Sequence, residues 1–189
     1  MFKNLILYFC LSFFLFYLLS KISYKLNFLD IPNKRSMHKK AVAYTGGIIL
    51  SIIYLSSIKL FIFSNSIISL IIYSSLICFI GFIDDRINLN VKSKLILQVI
   101  PVICLIFFEN ISLNSIGNYE YFQIKLGSFV LPFTVISVML LLNSFNYFDG
   151  LDGTLSSLTS SIIIILIFLI DDKNIDQILI IFLIPLLIF

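Results

Sequence analysis

Long apolar runs without a single charge, separated by short polar stretches, dominate the pattern of this chain. The uncharged runs lie at 4–20, 41–58, 60–83, 95–108, 126–148, 153–170 and 177–189. A membrane span needs about 20 mainly apolar residues, so most of these runs are long enough to cross a bilayer. The pattern therefore predicts an all-α polytopic membrane protein with about seven transmembrane helices, the last of them incomplete.

The predicted helices form a single multi-spanning domain over residues 1–189. Their approximate bounds are 4–20, 41–62, 66–83, 95–113, 129–145, 155–170 and 177–189. The fourth reaches this length only if Ile111 and Leu113 extend it past Glu109. Polar and apolar residues then alternate around Lys125-Leu126-Gly127, which predicts a small outer-face β-hairpin near 119–130.

Composition and cysteine spacing support a membrane protein rather than a nucleic-acid-binding protein or one built on disulfides or cysteine-bound metal. The chain is 60% hydrophobic and 12% charged, whereas about a quarter of a soluble domain is charged. Its net charge of +3 is too small to indicate nucleic acid as a partner. The three cysteines lie singly in apolar runs, so they fit neither a disulfide framework nor a metal site.

The distribution of lysine and arginine predicts the orientation in the membrane. Loops 21–40, 84–94 and 143–155 alternate with loops on the other face and together carry nine of the thirteen Lys and Arg residues. Short loops rich in these residues stay in the cytoplasm. We therefore expect a multi-pass protein with its N-terminus outside and these three loops cytoplasmic.

A pair of acids ends the third apolar run, in "FIGFIDDRINLNVKSK". Ionisable residues at membrane depth are costly and are functional candidates by default; the alternative is a helix end that has reached water. Neighbouring residues on a helix point about 100° apart, so Asp84 and Asp85 need not share a role. One can face a site while the other pairs with Arg86 or Lys94.

A second polar cluster, "NSFNYFDGLDG", lies between two apolar runs. Its amides and acids recur every three residues, at Asn143, Asn146, Asp149 and Asp152. An ideal helix would place the first and last on opposite sides, but Gly150 and Gly153 permit a local break that gathers them. Amide and carboxylate oxygens suit Mg²⁺. The alternative is a polar turn between helices, where Asp-Gly pairs are common.

The basic loop 21–40 is the main positive-inside determinant, and it also favours phosphates or anionic lipid headgroups. It contains His38, the chain's only histidine, which is either a solvated side chain or a ligand. Acids that hold a divalent cation and bases that hold phosphates thus share one face. This combination predicts an enzyme that moves a phosphorylated group onto a lipid phosphate.

Three stretches, in order, resemble the polyprenyl-phosphate N-acetylhexosamine-1-phosphate transferase family, relatives of phospho-N-acetylmuramoyl-pentapeptide transferase. They are "LDIPNKRSMHKKAVAYTGG", "GFIDDRINLNVKSKLILQ" and "LLNSFNYFDGLDGTLSS". The resemblance implies an enzyme of the bacterial inner membrane that transfers a UDP-activated N-acetylhexosamine 1-phosphate to undecaprenyl phosphate and releases UMP. Such enzymes start cell-envelope glycans such as O-antigen or teichoic acid. It also implies Mg²⁺, with Mn²⁺ as a substitute, contacts with membrane lipids, and a homodimer as one assembly.

The resemblance also suggests roles for individual residues. It implies that Asp84 assists the lipid phosphate nucleophile, with Asp85 beside it, and that Asp149 also takes part in catalysis. Metal ligands would be Asp149, Asp152 and Asp84. Substrate phosphates would contact Lys94, Arg86, His38, Asn143 and Asn146.

Two departures from the family pattern affect these expectations. Ala41, Ala43 and Tyr44 replace the prolines and the arginine that usually stiffen the first loop. Family members also continue beyond a seventh span, so we expect this chain to be a C-terminally truncated fragment that is inactive alone. The competing classes are a cation transporter, whose acids would lie nearer mid-span, and a non-catalytic membrane scaffold.

Overall fold

Seven helices account for most of the chain that the computed structural model describes, which comprises residues 2–30, 42–43, 45–119, 122–148 and 153–189. They are α1 (Phe2–Lys25), α2 (Gly46–Leu60), α3 (Asn65–Ile87), α4 (Val91–Glu109), α5 (Val130–Phe148), α6 (Thr154–Leu169) and α7 (Lys173–Ile188). The all-α architecture predicted from the apolar runs is therefore confirmed.

Four stretches of this part of the chain are long and apolar enough to cross a membrane. They are Phe2–Lys25, Asn65–Ile87, Val91–Glu109 and Gly127–Asn146, and two shorter apolar helices cover Gly46–Leu60 and Thr154–Leu169. Within the four stretches only 6–17% of the residues are buried in the protein. Helices that are apolar all round yet largely uncovered are typical of proteins whose solvent is lipid.

Several predicted boundaries differ from the observed ones by a few residues, and local backbone geometry explains two of these differences. The second helix begins at Gly46 rather than at 41, since Val42–Ala43 forms a strand. The fourth ends at Glu109, so Ile111 and Leu113 do not extend it. Asn110 follows with a φ of 54°, and asparagine in this left-handed conformation is a common helix terminator.

Two small antiparallel pairs of strands complete the described fold. Strand β1 (Leu29–Asp30) pairs with β2 (Val42–Ala43), and β3 (Ser115–Tyr119) pairs with β4 (Phe122–Lys125). The second pair confirms the predicted hairpin. It lies a few residues earlier than the predicted 119–130, since its second strand ends at Lys125. Gly127, with a φ of 53°, instead begins the 3₁₀ turn Gly127–Phe129 that leads into α5.

Hydrogen bonds at both ends hold α1 and α2 antiparallel. Near the end of α1, the hydroxyls of Ser23 and Thr45 are 2.6 Å apart, next to the start of α2. At the other end, Asn4 Nδ2 donates to the carbonyl of Leu60 at 2.8 Å. These bonds pair polar groups of the two helices at both of their ends.

Helices α3 and α4 form a second antiparallel pair with a very short connection. Asn88, with a φ of 50°, ends α3, and the side chain of Asn90 accepts from Ser93 N to cap α4. At the far end, Ser69 Oγ donates to Glu109 Oε1 at 2.6 Å. We call the end that contains residues 84–94 the aspartate end, and the end that contains β3 and β4 the hairpin end.

The largest buried cluster lies where α1, α2 and α7 meet. Tyr8, Ile49, Ile53, Phe61 and Ile181 form its centre. The ring of Tyr8 is fully buried and meets the ring of Phe61 edge-on, with 5.6 Å between centroids. The packing of α7 against the first two helices thus brings together residues far apart in the sequence.

The burial of Tyr8 generates a prediction about stability. Tyr8→Ala should lower the free energy of unfolding by about 3–5 kcal/mol because it leaves a large cavity, whereas Tyr8→Phe keeps the ring and most of the stability. Thermal unfolding in detergent, followed by size-exclusion chromatography, measures both. Phe13→Ala, on the same helix but 61% exposed, is the matched control. Equal melting temperatures of the Tyr8→Ala and Phe13→Ala variants would show that this cluster is not a stabilising core.

Candidate active site

An ion pair joins α3 to α4 at the aspartate end. Lys94 Nζ lies 2.8 Å from Asp84 Oδ2, and the two side chains are only 19% and 18% exposed. A pair so shielded from water attracts more strongly than one on an open surface. Of the two cations that the sequence offered as partners for an aspartate, the structure selects Lys94.

The second oxygen of Asp84 also has a partner within the protein. The backbone N–H of Leu89 donates to Asp84 Oδ1 at 3.1 Å, because the left-handed Asn88 turns the chain back toward the end of α3. Asp84 therefore fixes the α3–α4 turn with one oxygen and holds Lys94 with the other.

Next to this ion pair, a cleft of about 210 Å³ opens between α3, α4, α5 and the first turn of α6. It is lined by Ile77, Gly81, Asp85, Lys94, Gln98, Leu142, Asn143, Phe145, Asn146 and Leu155. The cleft brings together one carboxylate, one ammonium and three amides from segments that are distant in the sequence. Four of the nine predicted site residues are therefore among its lining residues: Asp85, Lys94, Asn143 and Asn146.

Helical spacing explains how two elements supply these lining residues. Ile77, Gly81 and Asp85 follow one another at steps of four, as do Lys94 and Gln98, and such residues share one face of a helix. Gly81 adds open space, since a Cβ built on it would meet no atom within 4 Å. Asp85, the acid of the cleft, thus lies one helical turn from Gly81, which has no side chain.

The two asparagines of the cleft come from the last two turns of α5. Asn143 Nδ2 donates to the carbonyl of Met139 at 2.7 Å. The other polar atom of the Asn143 side chain is its amide oxygen, which is a hydrogen-bond acceptor. Helix α5 ends at Phe148, and α6 begins after Gly153, which has a φ of 75°. Gly153 thus has the left-handed conformation that glycine permits, while residues 149–152, with Gly150 among them, lie outside the described chain.

Three predicted site residues lie outside the part of the chain that the structure describes: His38, Asp149 and Asp152. Their roles stay predictions. In the described ranges, no group of three or more His, Cys, Asp or Glu side chains is placed to hold a metal ion. The described oxygens of Asp85, Asn143 and Asn146 are nevertheless of the hard type that suits Mg²⁺.

Arg86, also a predicted site residue, is not among the residues that line the cleft. Its guanidinium carbon is 5.2 Å from the centroid of the Phe28 ring, and that ring meets Phe82 edge-on at 5.5 Å. A contact of this kind contributes about 0.5–1 kcal/mol at an exposed site. Arg86 therefore links α3 to the chain just before β1, where the first basic loop begins.

Gln98 lines the cleft but is not among the predicted site residues, although it ends the stretch "GFIDDRINLNVKSKLILQ" that carries the family resemblance. It is 7% exposed, and its Oε1 has no hydrogen-bond partner in the described part of the protein. A buried acceptor without a partner costs about 1–3 kcal/mol. In the sequence, Gln98 can be recognised as a lone amide four residues after Lys94 in an apolar run.

An apolar groove of about 340 Å³ runs beside the cleft between α4 and α5. Its lining residues are Leu95, Val99, Val135, Ile136, Met139, Leu140 and Asn143. Asn143 borders both spaces, so a charged, amide-lined cleft and a hydrocarbon-lined groove meet at one side chain.

Fold and site together define a class of protein, the polytopic helical membrane protein with a polar cleft at one end of its bundle. Residues 67–189 match the family model described as Glycosyl transferase family 4. The match covers more than half of the chain, which therefore belongs to this family of transferases.

Curated relatives carry a more specific name. An undecaprenyl-phosphate alpha-N-acetylglucosaminyl 1-phosphate transferase of Escherichia coli O157:H7 is 30% identical over 142 residues, which are 74% of this chain and 38% of that protein. The protein of the same name from Yersinia pestis is 27% identical over 82% of this chain and 43% of its own length. That of Thermotoga maritima is 31% identical over 79% and 46%. The chain thus spans less than half the length of these relatives.

The ion pair generates a prediction about coupling. Asp84→Asn and Lys94→Met should each destabilise the α3–α4 pair, and a double-mutant cycle should give a coupling free energy of about 0.5–3 kcal/mol. Unfolding in detergent measures all four variants.

Lys92→Met is the matched control for this cycle, because Lys92 is exposed on the same turn of α4. Its cycle with Asp84→Asn should give no coupling. A coupling as large as that of Lys94 would show that the effect comes from net charge rather than from the contact.

Proposed function

We propose that the chain belongs to an enzyme that transfers a UDP-activated N-acetylhexosamine 1-phosphate to undecaprenyl phosphate and releases UMP. One observation carries the proposal: the polar cleft and the apolar groove meet at Asn143. A lipid phosphate combines a charged head, which suits the polar cleft, with a hydrocarbon tail, which suits the apolar groove. The names of the relatives, which state a reaction on undecaprenyl phosphate for those proteins, support the same substrate.

In the proposed reaction, an oxygen of the lipid phosphate attacks the phosphorus that bears the sugar. A new P–O bond forms, the bond to the UMP oxygen breaks, and a lipid pyrophosphoryl sugar remains. Such transfers depend chiefly on positioning and on neutralisation of phosphate charge. Lys94 supplies a positive charge at the cleft, and the amides of Gln98, Asn143 and Asn146 offer hydrogen bonds to the substrates.

The two neighbouring aspartates have different roles in this proposal. Asp84 positions Lys94 and the α3–α4 turn, which its two oxygens contact. Asp85 lines the cleft and is the carboxylate that acts on the substrates, by accepting a proton from the lipid phosphate or by holding a cation. Arg86 anchors the start of the first loop through Phe28, and His38 in that loop is proposed to contact phosphate.

Magnesium, or manganese in its place, is the proposed cofactor. Its ligands would be Asp85 and the amide oxygen of Asn146, together with Asp149 and Asp152 of the same motif. When bound, the ion would neutralise the oxygens of the nucleotide's diphosphate. Asp84 would support the site indirectly, through the turn that it stabilises.

The proposed setting is the bacterial inner membrane, with the aspartate end in the cytoplasm. Lys25, Arg86, Lys92 and Lys94 lie at or near this end, in loops that hold most of the basic residues. The positive-inside tendency of short loops favours this orientation.

Ligand binding provides the first test of the proposal. The chain in lipid nanodiscs should bind UDP-N-acetylglucosamine in the presence of Mg²⁺, and Asp85→Asn should weaken binding about tenfold or more, since a hydrogen bond to a charged group contributes about 1.5–3 kcal/mol. Isothermal titration calorimetry measures both affinities, with and without a chelator.

Asp171→Asn, an exposed acid next to α7 at the hairpin end, is the control and should bind like the original chain. No Mg²⁺-dependent nucleotide binding by any variant would contradict the proposal. Cation flux through the same protein in vesicles, without nucleotide binding, would favour the transporter instead.

Filling the cleft provides a second, independent test. Gly81→Leu should reduce binding of UDP-N-acetylglucosamine, because its side chain extends into the open space next to Asp85. Gly81→Ala adds a methyl group that meets no atom within 4 Å and should leave binding largely unchanged. Calorimetry and thermal unfolding of both variants separate a blocked cleft from a misfolded one. Unchanged affinity in a folded Gly81→Leu chain would place the nucleotide elsewhere.

A further inference from the structure

The β3–β4 hairpin has an exposed apolar face at the end of the bundle opposite to the cleft. Ile116 is 49% exposed and Ile124 is 43% exposed. Gln123 and Lys125, the neighbours of Ile124 in β4, are exposed as well. Both sides of the ribbon are therefore uncovered by the described protein, and they differ in polarity.

The strand register places the two isoleucines on one face. Ser115 pairs with Lys125, so these two residues project to the same side of the ribbon. Successive residues of a strand point to opposite faces, so their neighbours Ile116 and Ile124 both project to the other side. The result is an apolar face and a polar face on a ribbon of two strands.

A bulge in β3 accommodates this arrangement. The pairing shifts between Ser115 and Asn118, where three steps on β3 face two steps on β4. Gly117 lies in the bulge with a φ of 148°, which side chains rarely adopt. Bulges of this kind bend and twist a strand locally and re-aim its side chains.

Hydrogen bonds hold the base of the ribbon against the start of α5. Leu126 N donates to the carbonyl of Asn114, and Leu113 N donates to Thr134 Oγ1, each at 3.0 Å. Nearby, Phe108 at the end of α4 is 72% exposed and Phe129 before α5 is 70% exposed. The hairpin thus follows directly in the chain on one predicted span and precedes the other, and both spans expose large apolar side chains next to it in the sequence.

We propose that the apolar face of the hairpin lies in the interfacial layer of the adjacent membrane leaflet, with Ile116 and Ile124 toward the lipid and Gln123 and Lys125 toward water. Lipid is the occupant that this position favours, because the hairpin directly connects two predicted membrane spans and is hydrogen-bonded to the start of the second. An amphipathic element binds this layer by burying its apolar side chains while its charged groups stay hydrated. Because α4 and α5 carry Lys94 and Asn143 at their other ends, the ribbon would help to set the depth of the cleft.

Single tryptophan residues test this proposal, because the chain contains no tryptophan. Ile124→Trp places an indole on the apolar face, and Gln123→Trp places one on the polar face one residue away. Each variant is reconstituted into phosphatidylcholine vesicles with and without lipids brominated near the headgroup end of the acyl chain. We expect a shorter emission wavelength and strong bromine quenching for Ile124→Trp, and neither for Gln123→Trp.

Equal quenching of the two tryptophans would overturn the proposal. So would short-wavelength emission of Ile124→Trp without quenching, since this would show that a second copy of the chain or another protein covers the face. Ile116→Trp serves as the second probe if Ile124→Trp fails to fold by size-exclusion chromatography. The measurement uses no nucleotide, so its failure is independent of any failure of the proposed transferase function.

Discussion

The contact between Asp84 and Lys94 is the constraint on which the cleft depends. It links the last turn of α3 to the first turn of α4 at 2.8 Å, with both side chains largely shielded from water. A charge in such a place is costly unless it is paired. Once Asp84 is used to hold the lysine and the turn, the adjacent acid is the one that reaches the cleft, because successive helical residues point in different directions. The different positions of the two aspartates, one in the ion pair and one in the lining of the cleft, thus follow from helix geometry.

A membrane bundle also restricts where chemistry can take place. Polar side chains inside the hydrocarbon layer need partners, and most of those that line the cleft come from helix ends. Gln98 is the exception, one turn deeper in α4, with an oxygen that has no partner in the described chain. Next to it lies the apolar groove between α4 and α5, which in the proposed reaction would hold the hydrocarbon tail of the lipid while its phosphate reaches Lys94. The hairpin at the other end of the same helices extends the contact with lipid.

The sequence predicted the helices well because the lipid environment imposes a length and a polarity that can be read locally. Its errors are also local. Val42–Ala43 was assigned to a helix but pairs as a strand, and the fourth helix ends at Glu109 because Asn110 adopts a left-handed conformation. The hairpin was predicted near 119–130 from the alternation of polar and apolar residues, but its strands lie at Ser115–Tyr119 and Phe122–Lys125. A residue type permits a strand or a left-handed turn without requiring it. Which conformation forms depends on interactions that the local sequence does not show, such as the pairing of β1 with β2.

By itself, the sequence determined the class of protein, the number of helices, and the concentration of acids, amides and bases at one end. It also offered Arg86 and Lys94 as partners for one aspartate of the pair. Only the tertiary structure decided which cation: Lys94 reaches Asp84, while Arg86 lies over Phe28. It alone brought Gln98 and Asn143 to one cleft and joined that cleft to an apolar groove. Hydropathy and span length are properties of a single segment, whereas partners depend on the directions in which side chains project from helices packed side by side.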